Sequence, residues 1–389
     1  AAAYSLLTDR PAHPVRVTAP EIMARYAPGT KATDDTRCLA CHTNPALAHA
    51  ELVPDPTARA LREQGVGCEA CHGNAGRWLQ PHTALKTADR KRVFEETGLV
   101  PLSDIGDRAL ACAGCHVGAP AGNGLPVRDM NHDMIAAGHP RLNFDFAEYQ
   151  RRLPQHWEEK DRSRAKPNGV ERNEAKAWYV GRVAHAEAAC RLLEDRARRA
   201  DANAPRTPWP EFAEFNCASC HHSLRVPNDP KRGDWRTSDA YLGGRPIGVP
   251  PWQMIWPLTS AAGLEAPARD AAPLAAVVKA LEVPKPAKNA GAIPAAGEGA
   301  KRMGDLRRAL VAASDAEVEK QARALFPTGA PLVPEWDSAS QLFFGLAALE
   351  HARGKPDAPT VARYQAAVQA FRAQDWATVE TAFGALRSK

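Results

Sequence analysis

The chain has 389 residues, of which 24% are charged, and its formal net charge at pH 7 is +5. This length allows one large domain or two ordinary ones. The charge is modest and no run of Lys or Arg suggests nucleic-acid binding, so we expect no nucleic-acid partner.

The start of the chain, AAAYSLLTDR, is rich in small residues. It lacks a basic stretch followed by an apolar run, so no signal peptide is visible, and a small-residue start is what cleavage of one leaves behind. No stretch predicts a transmembrane segment: residues 246–264 are uncharged but contain four prolines, which favours a loop. We therefore expect an exported protein in the periplasm or outside the cell.

Four short motifs contain eight of the nine cysteines. Each has the form CxxCH, at residues 38–42, 68–72, 112–116 and 217–221. CxxCH is the attachment motif of c-type haem, because two thiols at this spacing bond to the two vinyl groups and the next side chain reaches the iron. A zinc site or a set of disulfides would not require a histidine directly after every second cysteine. The motifs therefore predict four covalently attached haem c groups.

These motifs assign the cofactor-binding residues directly. We predict that the haems are bonded to Cys38, Cys41, Cys68, Cys71, Cys112, Cys115, Cys217 and Cys220. The predicted proximal iron ligands are His42, His72, His116 and His221. The segments between the first three motifs are short and contain Pro and Gly. We therefore predict short helices and loops wrapped on haem, with the porphyrins supplying much of the core.

Histidines that follow the first two motifs are candidates for distal iron ligands. His49 lies seven residues after His42. Because that spacing does not reach the far face of its own haem, we expect His49 to bind a neighbouring iron. His82 has the corresponding place after the second motif, behind Trp78 and Pro81, and is also a candidate ligand.

The segment NHDMIAAGHP carries two further candidates, His132 and His139. If the segment is helical their imidazoles are roughly 10 Å apart, and if it is extended they are roughly 23 Å apart. Neither geometry lets both rings bind one iron, so we predict that they bind two different haems. Pro140 ends any helix just after His139. His222, beside a proximal ligand, and His185 remain competing candidates.

The number of histidines favours bis-histidine coordination and low reduction potentials. Met130 and Met134 lie in the right region for methionine coordination, which would raise the potential. His13, His156 and His351 are predicted to have no coordinating role.

The long interval before the fourth motif predicts a helix over Asn173–Asn203. Apolar residues recur there at alternating steps of four and three, which indicates a buried face. The face consists of Tyr179, Val183, Ala186, Cys190 and Leu193. Cys190 lies on this face, so we interpret it as a small buried hydrophobic residue and not as a reactive thiol.

Beyond about residue 250 the sequence changes character. Residues 261–389 hold no cysteine and are rich in Ala, Leu, Glu, Lys and Arg, with predicted helices over 338–353, 358–373 and 376–386. The fold class we predict is mainly α, with a tetrahaem cytochrome c domain (1–250) and a C-terminal helical domain without cofactor (251–389). The C-terminal domain is either a structural cap or a docking site for a partner, through which the protein could form oligomers.

The order of these motifs resembles the cytochrome c-554-like multihaem family. The resemblance rests on the segments GVGCEACHGNAGRWLQPH, CAGCHVG, NHDMIAAGHPRLNFDF, AWYVGRVAHAEAACRLLEDRA and WPEFAEFNCASCHHSL. It covers about residues 35–245. It implies a mostly helical multihaem electron carrier outside the cytoplasmic membrane, with closely packed haem pairs and with redox proteins as partners.

Three hypotheses of function follow. The first is a tetrahaem carrier that passes electrons between a donor and an acceptor protein. The second is a haem enzyme that oxidises or reduces a small nitrogen compound, such as nitric oxide or hydroxylamine, at an open iron. The third is a subunit of a polymeric cytochrome wire, in which a histidine of one subunit binds an iron of the next.

Overall fold

The computed structural model describes residues 2–84, 90–122, 124–142, 144–153, 174–204, 207–214, 291–325 and 336–353, and five single positions between 362 and 381. The described residues are mainly helical, as predicted. None of the described helices is long and apolar enough to cross a membrane. The chain divides into two compact units, Ala1–Asn143 (unit 1) and Phe144–Lys389 (unit 2).

Unit 1 is built from short helices. Those described are α1 (Ala2–Ser5), α2 (Ala19–Tyr26), α3 (Thr36–His42), α4 (Pro56–Arg62), α5 (Cys68–His72), α6 (Arg90–Thr97), α7 (Ile105–His116) and α8 (His132–Ala137). The first and third CxxCH motifs form the last five residues of α3 and α7, and the second motif forms the whole of α5. The covalent attachment motif and the end of a helix therefore coincide three times.

Side-chain caps fix where two of these motif-bearing helices begin. The carboxylate of Asp35 accepts a hydrogen bond from the backbone N–H of Arg37 at the start of α3. Asp104 accepts from the backbone N–H groups of Gly106 and Asp107 at the start of α7. Each cap satisfies amides that have no partner within the helix and contributes about 1 kcal/mol to helix stability.

The apolar clusters of unit 1 are small and rich in alanine. The larger cluster joins α1, α2 and α3, and its buried members include Tyr4, Leu7, Met23, Leu39 and Ala40. A second cluster joins α2 to α8 and consists of Ile22, Met134 and Ala137. Such sparse side-chain cores agree with a fold in which a cofactor supplies apolar bulk.

Unit 2 is organised around one long helix. Its described helices are α9 (Phe146–Arg152), α10 (Glu174–Asp201), α11 (Ala292–Ala312), α12 (Asp315–Ala324) and α13 (Trp336–Arg353). Helix α10 packs against each of the other four. The presence of α10 confirms the helix predicted over residues 173–203. All five residues of the predicted apolar face, including Cys190, are 0% exposed.

Two glycines allow α11 to lie close to α10. A Cβ atom on Gly304 would be 3.3 Å from Oε1 of Glu187, and one on Gly297 would be 3.3 Å from Oε1 of Glu194. The two glycines are seven residues apart in α11, and the two glutamates are seven residues apart in α10. The later glycine faces the earlier glutamate. The two helices are therefore antiparallel, with small residues of one facing carboxylates of the other.

A buried ion pair and a cap join the same two helices. Arg307 donates from Nε to Oε2 of Glu187 at 2.9 Å, and both side chains are buried. Arg191 donates to the other carboxylate oxygen of Glu187 at 2.6 Å. Lys176 donates to the carbonyl oxygens of Val311 and Ala313, at 3.0 and 2.7 Å, where α11 ends. Cations stabilise such helix C-termini.

Some sequence-based predictions lie outside the described residues. These are the domain boundary near residue 250, the apolar segment 246–264, and the helices over 358–373 and 376–386, which hold only isolated described positions. The helix predicted over 338–353 is present as α13. Helices α11 and α12 were not delimited by the sequence pattern.

Candidate haem sites

In the first motif, one ring nitrogen of the histidine is already hydrogen-bonded to the backbone. The Nδ1 atom of His42 is 2.8 Å from the carbonyl oxygen of Ala3 in α1. Because a carbonyl oxygen only accepts hydrogen bonds, Nδ1 carries the proton and Nε2 keeps its lone pair. Burial lowers the pKa of His42 from its usual value, which favours the neutral imidazole that iron coordination needs.

The second motif is more open. Cys68 and Cys71 are both exposed, and α5 buries none of its residues. The Nδ1 atom of His72 is 2.9 Å from the carbonyl oxygen of Val100, so its proton is also on Nδ1. The second motif therefore repeats the nitrogen assignment of the first in a more solvent-exposed setting.

An indole ring lies between the two histidines of the second region. The ring of Trp78 is edge-on to that of His72, with centroids 6.4 Å apart, and to that of His82, with centroids 5.5 Å apart. Trp78 is buried, with an exposed fraction of 4%. The Nδ1 atom of His82 is 2.6 Å from the carbonyl oxygen of Leu79, which again leaves Nε2 as the free nitrogen.

A cysteine of the third motif lies close to the backbone and to a cysteine of the first motif. Cys115 Sγ lies 3.9 Å from the carbonyl oxygen of Ala40, which is inside the first motif. A hydrogen bond with Cys115 raises the pKa of the Cys41 thiol, together with burial. The hydrogen bond from Cys41 lowers the pKa of Cys115, and the positive charge of Arg128 acts in the same direction.

The second motif approaches the third as well. Although Cys71 is exposed, partial desolvation by the surrounding protein raises the pKa of its thiol, and the nearby Cys115 raises it further. Burial raises the pKa of Cys112 to about 11, with a contribution from Cys71. Residues up to 77 positions apart in the sequence thus form one cluster of attachment thiols. The fold of unit 1 brings three of the predicted haem sites together.

His139 is the predicted distal histidine that lies beside a proximal one. Its ring centroid is 6.3 Å from that of His42, and the two ring planes are nearly perpendicular, at 86°. An iron–nitrogen bond of about 2 Å and about 1.2 Å from nitrogen to ring centre would place the centres of two imidazoles on opposite sides of one iron about 6.4 Å apart. The observed spacing fits a haem iron between His42 and His139.

Helix α8 and its neighbours hold His139 in place. Arg25 of α2 donates to the carbonyl oxygen of Ala137 at 3.0 Å. Gly138 follows with φ of +120°, and a Cβ atom there would be 2.8 Å from Val17 Cγ1. Only glycine satisfies both the backbone angle and the contact. The chain therefore turns sharply just before His139, whose Nδ1 is 2.8 Å from the carbonyl oxygen of Pro140.

His132 and His49 occupy different surroundings. His132 is the first residue of α8 and is half-buried; Asn131 caps the helix by accepting from the backbone N–H of Met134. The ring of His49 lies against Gly124, because a Cβ there would be 2.3 Å from its Cε1 atom. Its Nδ1 is 3.4 Å from a carboxylate oxygen of Glu51. For His132 the predicted coordination remains a prediction from spacing.

The hydrogen-bond partners of Nδ1 separate the histidines into two groups. In four of them a carbonyl oxygen accepts from Nδ1, so that Nε2 carries the lone pair: His42, His72, His82 and His139. In a fifth, His49, a carboxylate oxygen of Glu51 lies 3.4 Å from Nδ1. His185 is opposite, because Nη1 of Arg182 lies 3.2 Å from its Nδ1. A guanidinium only donates, so the proton of neutral His185 is on Nε2. This makes His185 a weaker candidate than the other five.

The fourth motif lies outside the described residues, but the chain just before it is anchored. Arg196 of α10 forms a buried ion pair with Glu214, three residues before Cys217. Both side chains are less than one-tenth exposed. The approach to the fourth motif is thus fixed to α10 by a charge pair that is costly to break.

Arg128 is a residue of the site that the sequence pattern did not reveal. Its guanidinium lies flat against Gly114, inside the third motif, and Nη1 is 3.7 Å from Cys115 Sγ. A Cβ atom on Gly114 would be 3.3 Å from Nη1. The glycine in CAGCH, unique among the four motifs, is the one local signal of this close approach.

Three CxxCH motifs converge in unit 1, and the thiols and imidazoles that they bring together fit covalently attached haem c. The comparison with protein families agrees. Residues 14–73, which contain the first two motifs, match the family described as cytochrome c554 and c-prime. The match supports a cytochrome c554-like family, whose c-type cytochromes carry electrons with covalently bound haem c. Neither the curated proteins nor the solved structures include a significant match to the chain.

Proposed function

We propose that this protein is a tetrahaem c-type cytochrome that carries electrons between redox proteins in the periplasm or on the cell exterior. The observation that carries the proposal is the convergence of three attachment motifs in unit 1, with His42 and His139 spaced to share one iron. When bound, each haem supplies a one-electron Fe(III)/Fe(II) couple. A carrier needs such couples close together.

The ligand set proposed for the haems follows from the motifs and from the geometry of the histidines. His42, His72, His116 and His221 are the proximal ligands. His139 is the distal ligand of the first haem, and His49, His82 and His132 are distal ligands of others. Backbone carbonyls that accept from Nδ1 hold the rings and make Nε2 more basic, which stabilises the ferric iron. Low potentials are therefore expected.

The C-terminal region is proposed to hold no cofactor. Residues 1–250 would form the haem-binding domain, and residues 251–389 the helical domain. The boundary near residue 250 separates the haem-binding part of the chain from the part without cofactor. It does not separate two packing units, because α10 and α11 lie on opposite sides of it and share a buried ion pair. The C-terminal helices thus complete the core around α10, and an oligomer contact would use their remaining surface.

Haem stoichiometry is the direct test of the cofactor proposal. The denatured protein should keep four haems, which add about 2.5 kDa to the 42.0 kDa chain at ~0.6 kDa for each motif. Intact-mass spectrometry measures this. The variant Cys68→Ala/Cys71→Ala should lose one haem, whereas Cys190→Ala, which changes a buried thiol outside the motifs, should keep four. A mass near the bare polypeptide would contradict the proposal.

Ligand binding by the reduced iron tests the carrier against an enzyme. If every iron has two protein ligands, the reduced protein should not bind carbon monoxide or nitric oxide, and the oxidised protein should be entirely low-spin. Visible spectroscopy and electron paramagnetic resonance measure both properties. Stoichiometric binding of carbon monoxide by one haem in four would instead favour catalysis at an open iron.

A further inference from the structure

A positive charge is held between two of the proposed haem attachment sites. The backbone N–H and carbonyl of Arg128 pair with those of Ala119, at 2.9 and 3.0 Å, in an isolated antiparallel bridge. This pairing fixes the backbone beside the third motif. The guanidinium then lies on Gly114 and reaches Cys115 Sγ, which in turn contacts the first motif at Ala40.

The charge of Arg128 has no carboxylate partner among the described residues. Its Nε atom is buried without a hydrogen-bond partner there. By contrast Arg37, next to the first motif, is paired with Asp35 at 2.5 Å. Arg128 as a whole is half-buried, and a partly shielded cation that no carboxylate neutralises exerts a stronger field on its neighbours than a paired or fully exposed one.

We propose that Arg128 raises the reduction potential of the haem attached at Cys112 and Cys115 and, through the contact of the third motif with the first, that of the haem attached at Cys38 and Cys41. The inference rests on the proposed function. Reduction adds one electron to a haem and makes the group more negative by one charge. A fixed positive charge nearby stabilises that form over the oxidised one. Arg128 thereby offsets the low potential that two histidine ligands favour.

The test is a spectroelectrochemical titration of the holoprotein and of Arg128→Gln and Arg128→Lys. In Arg128→Gln, one or two haems should have a reduced-to-oxidised ratio about tenfold lower at a fixed applied potential. Arg128→Lys keeps the charge and should change the ratio less than about threefold. Arg92→Gln is the matched control, because Arg92 is 63% exposed and paired with Glu96, so the ratio should stay unchanged.

The haem count separates failure of this inference from failure of the proposed function. Fewer than four haems in the unmodified protein would refute the tetrahaem proposal itself. Four haems with unchanged potentials in Arg128→Gln would refute the role of Arg128, as expected if a haem propionate neutralised it. If Arg128→Gln loses haem, Arg128→Met keeps the apolar contact with Gly114 and allows the same titration. Loss of haem in both neutral variants would show a structural role and overturn the inference.

Discussion

Arg307→Leu is expected to lower the free energy of unfolding of unit 2 by about 3–5 kcal/mol, because it leaves the buried Glu187 carboxylate without its main partner. Glu187 is 0% exposed and Arg307 is 5% exposed. Arg191 still pairs with Glu187, but its side chain is 52% exposed and compensates only in part. Urea unfolding followed by far-ultraviolet circular dichroism measures the loss.

A second ion pair on the same helix provides the control. Arg302 pairs with Glu298 one turn away, at side-chain exposures of 51% and 46%. Arg302→Leu should therefore change the free energy of unfolding by less than about 1 kcal/mol. The double variant Glu187→Leu/Arg307→Leu should recover much of the stability, since both charges are removed together. Equal losses for Arg307→Leu and Arg302→Leu would contradict the importance of burial.

His139→Ala is expected to convert one low-spin haem to high spin and to leave the other haems low-spin. The reason is the 6.3 Å spacing of the His42 and His139 rings, which matches two axial ligands of one iron. Electron paramagnetic resonance of the oxidised protein measures the change. The same variant should gain the ability to bind carbon monoxide when reduced, at one molecule per protein.

Two further substitutions show whether the effect is specific. His13 is exposed and follows no motif, so His13→Ala should leave every haem low-spin. His132→Ala should convert a different haem, and the double variant with His139→Ala should show two high-spin haems. If His139→Ala keeps all haems low-spin, His139 is not an axial ligand. If His132→Ala does so, the two histidines do not bind two haems.

The features that the sequence predicted well are those with a local physical cause. Haem attachment needs two thiols and an imidazole within five consecutive residues, so the motif can be recognised in the sequence before the fold is known. The long helix was predictable because its apolar residues recur at helical spacing, and Cys190 belongs to that face. Helices α11 and α12 were harder to delimit, because small and charged residues obscure their apolar faces.

The features that only the tertiary structure decided join residues far apart in the chain. The pairing of His42 with His139, the contact of Cys115 with the first motif, and the ion pair of Glu187 with Arg307 span 97, 75 and 120 residues. No periodicity encodes such distances, since they depend on how separate helices pack. The chemistry of haem attachment was therefore determined by the sequence itself. Which histidines face which, and where the Arg128 side chain lies, was decided by packing.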